Sequence, residues 1–151
     1  MMRRTMLAAV AALSVGGCAA GVDKGAAEQA VAELHRMVGE GRYADLYRAT
    51  APDFRQATSE AQYTALLERV HALGSVRNTT QTGWRVSNGT EGGLVTLNYS
   101  TQFVNARARE DFTFRVAGGA AALLSYAISP DLTSFAPGWT PSGGKPAAPD
   151  G

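Results

Sequence analysis

A single cysteine, Cys18, stands in the chain, so no intramolecular disulfide can form and a disulfide-stapled fold is excluded. Lysine is nearly missing as well. Lys24 and Lys145 are the only two, and basic charge is carried by scattered arginines. Phosphate recognition needs clustered cations, and with no Lys/Arg block and a net charge of +1, nucleic acid is not an expected partner. No apolar run reaches the roughly 20 residues that a membrane-spanning helix takes. There is no Gly-x-Ser-x-Gly elbow and no glycine-rich loop opening a helix, which removes the serine-hydrolase nucleophile and the phosphate cradle. Histidine is limited to His35 and His71, neither with a cysteine or carboxylate at ligand spacing. Both read as surface or boundary residues, and no metal or cofactor is expected.

What is there begins at the N-terminus. Met1-Met2-Arg3-Arg4 is a cationic start, Thr5 to Ser14 is a short apolar run, and Val15-Gly16-Gly17-Cys18 follows. This order fits a secretion signal. Val-Gly-Gly-Cys resembles the lipobox of bacterial lipoproteins, which implies a signal peptide over residues 1–17, acylation of Cys18 with fatty chains such as palmitate, and a lipidated tether over 18–25. Several acyl chains make a stable membrane anchor at about 0.8 kcal/mol per buried methylene. Loss of Arg3 and Arg4 would leave 12 basic residues against 13 acidic, a net charge of −1. Ala19 after the cysteine, by resemblance to enterobacterial sorting, implies the periplasmic face of the outer membrane.

Residues 26–129 carry the pattern of one small α+β domain. Ala27, Val31, Leu34 and Val38 recur at helical spacing up to Gly39. A second short helix holds Tyr43, Leu46 and Tyr47 until Pro52 interrupts it. The third opens at Ser59 with a capping box to Gln62 and runs through Tyr63, Leu66, Leu67, Val70 and Leu73 to Gly74, with Leu66 central on its apolar face. The period then changes to two. Strands are predicted over Val76–Val86, Leu94–Asn105, Arg109–Val116 and Ala122–Ser129. Turn signals at Asn88-Gly89, Asn105–Ala108 and Gly118-Gly119 make them an antiparallel meander. Residues 130–151, rich in Pro, Gly, Ser and Ala, read as a disordered tail, with Phe135 and Trp139 as its only docking groups.

Three stretches carry a further resemblance: Leu97-Asn-Tyr-Ser-Thr-Gln-Phe-Val-Asn-Ala-Arg-Ala-Arg-Glu-Asp-Phe-Thr-Phe114, Gly41-Arg-Tyr-Ala-Asp-Leu-Tyr47 and Leu73-Gly-Ser-Val-Arg77. Between Val31 and Ser129 the chain resembles a family of small exported bacterial proteins known only as a domain of unknown function. The resemblance implies a cystatin- or nuclear-transport-factor-like cone, with three N-terminal helices closing a curved four-stranded sheet. Gly118-Gly119-Ala120-Ala121 departs from the family, which has an aromatic before the last strand. No catalytic residue comes with the resemblance.

Candidate chemistry is sparse. Trp84, Tyr99, Phe112, Phe114 and Tyr126 fall on strands, mostly in phase with the apolar face. They are core residues or, in an open cone, the lining of a pocket for a small apolar ligand. Glu110 is the one carboxylate in phase with that face and a weak catalytic candidate. Arg107, Arg109 and Asp111 crowd the same segment, so a wet rim is the expectation for it. The leading reading is a non-catalytic, membrane-anchored envelope lipoprotein that binds a small ligand or serves envelope maintenance. The alternatives are a cone-fold enzyme acting on a small apolar molecule, and a homodimeric interaction module using Thr96, Asn98, Ser100 and Gln102 on the solvent face of the sheet.

Overall fold

The computed structural model describes residues 21–139; Cys18 and the signal and lipobox expectations lie outside them. The first helix, α1 (Lys24–Gly39), is capped by Asp23, whose side chain accepts from the Ala26 amide at 3.1 Å. Its face of Ala27, Val31, Leu34, Met37 and Val38 is buried. At its end the Arg42 amide returns to the Met37 carbonyl at 2.9 Å. Gly41 supplies the left-handed residue, φ 71°, that this exit requires.

Two short helices follow where one was expected: α2 (Tyr43–Arg48) and α3 (Pro52–Ala57). Pro52 starts a helix instead of ending one. At the first helical position its missing N–H would be unpaired anyway and its fixed φ suits the turn. The helices therefore number four, not three, among the described residues. In α4 (Glu60–Ala72) the capping box forms in full, with Gln62 N donating to Ser59 Oγ at 3.2 Å and Ser59 N to Gln62 Oε1 at 3.0 Å. Tyr63, Leu67 and Val70 point into the core, while Leu66 sits half-buried at its margin.

The chain then makes an antiparallel meander, β1 (Val76–Gly89), β2 (Gly92–Phe103), β3 (Arg107–Ala117) and β4 (Ala120–Pro130), in the order β1-β2-β3-β4. Gly118 and Gly119, φ 58° and 76°, form the two-residue turn between β3 and β4. Two consecutive positive φ values match the right-handed strand twist there, and only glycine adopts them without strain. Alternation along β2 is strict: Val95, Leu97, Tyr99, Thr101 and Phe103 are buried and the residues between them are half-exposed. On β3, Ala108, Glu110, Phe112, Phe114 and Val116 share the buried side. Helices cover this face, α1 against β2, β3 and β4, and α3 against β4. The other face is polar and partly bonded to itself, Asn98 Nδ2 to Asp111 Oδ1 at 2.6 Å and Thr96 to Thr113 at 3.3 Å.

The domain extends past the expected boundary at Ser129. Asp131 N donates to Arg107 O and Ala136 N to Asn105 O, both at 2.8 Å, and Arg107 N donates to Ser134 Oγ at 2.8 Å. Phe135 and Trp139, ring centroids 4.6 Å apart, pack against the core. Two aromatics and three backbone anchors order this stretch despite its polar composition. Residues 140–151 of the expected tail lie outside the described chain.

Candidate functional site: a buried carboxylate and a two-histidine cavity

Period-two alternation turns Glu110 inward, and helix α1 carries His35 over it. The Glu110 side chain is 0 % exposed, so the wet rim expected from its neighbours is corrected. Arg107, Arg109 and Asp111 belong to the opposite face of the strand, and their charge says nothing about the side Glu110 occupies. Four elements meet at its carboxylate. Tyr126 Oη on β4 donates to Oε1 at 2.6 Å and Thr101 Oγ1 on β2 donates to Oε2 at 2.6 Å. His35 Nε2 on α1 lies 2.9 Å from Oε2 and 3.1 Å from Oε1.

Electrostatics follow from that geometry. Burial by itself pushes the Glu110 carboxyl up, but the His35 hydrogen bond and charge, with the Thr101 and Tyr126 hydroxyls, outweigh it and hold it below its ordinary value of 4.5. It is an ionised buried carboxylate with three donors. Tyr126 is pushed the other way, well above its ordinary value, by burial first and then by the adjacent carboxylate. A phenol that keeps its proton and a carboxylate that has lost one make a charge-assisted hydrogen bond.

The aromatic candidates are also core. Phe112 stacks on Tyr126 (4.8 Å, 15°) and on Phe114 (6.0 Å, 13°), and Tyr99 meets it edge-on (6.0 Å, 78°). All four are buried on the helix-facing side of the sheet, and Phe114 also lines a small apolar cavity of about 130 Å³ with Leu34, Met37, Tyr63 and Leu123. Trp84 is the exception. It is 60 % exposed and lines no chamber with them. β1 is the strand that the helices cover least, so an in-phase residue there stays outside.

Sequence reasoning missed His35, Thr101 and His71. His35 and Glu110 are 75 positions apart, and no local pattern links them. The same fold brings both histidines to one cavity of about 200 Å³ between α1, α4 and the start of β1, lined also by Val38, Val70, Val76 and Phe103. His71 Nδ1 lies 2.7 Å from the Val38 carbonyl. A carbonyl only accepts, so Nδ1 carries the hydrogen and Nε2 is left as the acceptor of the neutral ring. The ionised carboxylate likewise assigns a hydrogen to His35 Nε2. Both rings are thus held in one orientation by a hydrogen-bond partner. Among the described residues no three His, Cys, Asp or Glu side chains converge as a metal set.

No protein-family model matches the chain, and no curated protein matches it in sequence.

Proposed function

We propose that this is an exported lipoprotein, anchored through acylated Cys18 at the periplasmic face of the outer membrane. Its cone-like, nuclear-transport-factor-like domain binds a compact polar ligand without catalysing a reaction. The observation that carries the non-catalytic reading is Glu110. Both its oxygens are engaged at 2.6 to 3.1 Å and it has no exposed surface. A general acid or base must reach its substrate and exchange a proton near neutral pH. This carboxylate is enclosed and held ionised, which suits a structural charge.

The His35–His71 cavity is the better binding site than the aromatic face, because it brings two oriented polar side chains together, whereas the aromatic rings stack on one another. Its volume admits a molecule well below drug size. Its oriented imidazoles favour hydrogen-bonding ligands over the apolar ones first expected.

Two measurements test this. Radiolabelled palmitate should enter the wild-type chain in cells and be lost from Cys18→Ala; undiminished labelling of the variant overturns the anchor. In a thermal-shift screen against small carboxylates, alcohols, amines and divalent cations, a true ligand at 100 times its Kd should stabilise by about 2.7 kcal/mol. His71→Ala should abolish that shift; because it also removes the hydrogen bond to the Val38 carbonyl, the shift is read against the variant's own unliganded melting temperature. A shift that survives in His71→Ala places the site elsewhere.

A further inference from the structure

The exposed indole of Trp84 lies where the chain leaves the domain toward its N-terminus. In register Trp84 faces Leu97 on the helix side of the sheet, yet Leu97 is buried and Trp84 is open to solvent. Its neighbour is Lys24, the first residue of α1, whose ammonium stands 5.4 Å from the ring centroid and also pairs with Glu28. Two residues earlier Val22 packs into the β1–β2 hairpin end, occupying the space that a side chain on Gly93 would fill. The chain exit is therefore clamped beside the Trp84 strand. Cys18 precedes Val22 by four residues, a span of at most about 14 Å even when fully extended.

We infer that Trp84 and Lys24 form a bilayer-docking patch, which seats the domain on the lipid surface that holds its acyl anchor. This rests on the lipoprotein reading above. A lone exposed apolar residue needs no explanation. An exposed tryptophan stacked with a lysine next to a short lipidated tether does, and the chemistry of the pair is interfacial. The indole is apolar over its faces with one N–H for water or ester groups, the composition of the aromatic belts at membrane surfaces. At such a surface a lysine stem lies along apolar groups while its ammonium reaches phosphate oxygens, for which Lys24 would exchange its Glu28 partner. The clamp at Gly93 orients the domain, so the same side meets the membrane in every copy.

The test uses the full lipidated protein in phosphatidylethanolamine/phosphatidylglycerol vesicles whose acyl chains are brominated near the ester end. Of the chain's two tryptophans, Trp139 packs on the far side of the domain's core strands, beside Ile128 and Pro130. Wild-type emission should be quenched and blue-shifted on vesicle binding, and Trp84→Phe should lose that quenching while still floating with the vesicles. Trp84→Phe should also keep the wild-type melting temperature, because the ring is exposed. Equal quenching in the two proteins, or none in a wild type that floats, overturns the docking patch and leaves the anchor standing. Failure of the wild type to float overturns the anchor, and the patch with it. Lys24→Glu should reduce the blue shift in phosphatidylglycerol vesicles, and an unchanged shift removes the lysine from the patch.

Discussion

Tyr126 donates its phenolic hydrogen to Glu110 across 2.6 Å, from a neighbouring strand and beneath the ring of Phe112 that it stacks on. The bond ties the last strand to the charged centre of the core. Tyr126→Phe keeps the ring and removes only this donor. Hydrogen bonds to charged groups contribute about 1.5–3 kcal/mol, so urea denaturation should show a loss in that range. A loss below about 0.5 kcal/mol would mean that water or another donor replaces the phenol.

Removing the carboxylate is expected to cost more. Glu110→Ala strands His35, Thr101 and Tyr126 as donors without an acceptor and opens a cavity. Each buried polar group left without its partner costs about 1–3 kcal/mol, and three donors lose theirs here. If the variant stays within about 1 kcal/mol of wild type by chemical denaturation, the network is ornamental to stability.

Glu110 also sets an acid limit. Its folded pKa lies below 4.5, whereas the unfolded chain titrates near the ordinary value. The unfolded state binds the proton first, so this stabilisation is complete above about pH 4.5 and is lost as the pH falls through the lower folded value. Denaturation midpoints measured from pH 7 down to pH 3 should drop in that window. Glu110→Gln should flatten the drop; a parallel fall in both proteins assigns it to surface carboxylates.

On α4 the two adjacent leucines should behave differently. Leu67 is 0 % exposed, and Leu67→Ala should cost about 2–5 kcal/mol. Leu66, half-buried beside Ile128 and Trp139, should cost clearly less on the same denaturation assay. Equal costs would mean that the buried face of the helix lies midway between the two leucines, which are about 100° apart around its axis.

Ending the chain at Pro130 should lower the melting temperature. The truncation removes the Phe135–Trp139 pair and the bonds of Asp131 and Ser134 to Arg107 and of Ala136 to Asn105, at the start of β3 and just before it. In a domain of this size each kcal/mol lost lowers the transition by about 4–8 °C. A calorimetric scan that does not move would show the segment to be decoration.

Much of the architecture was legible because it is written locally. Ser59 and Gln62 form their capping box within one turn, and the alternation along β2 and β3 assigns a face to each strand residue, Glu110 included. The glycine pairs mark the hairpins. The errors were also local in origin. Pro52 reads as a helix breaker because a proline opening a helix looks the same in sequence as one ending it. The composition after Pro130 hid two aromatics that needed only a surface to dock on.

The site was another matter. Alternation could turn Glu110 inward, but only the packing of α1 across the sheet decided that a histidine would meet it. Ion pairs between distant residues leave no periodic trace. Trp84 shows the reverse case: it has the phase of a core residue, and the tertiary arrangement leaves it outside because only the first turn of α1 comes near that part of β1. Local propensity and patterning therefore determined most of the elements, their order and the inward faces of β2 and β3, since those depend on a residue and its near neighbours. Which inward residues became a buried charge network, an aromatic core, a two-histidine cavity or an exposed indole was decided by how the helix layer sits on the sheet, since burial is a property of what lies on the other side.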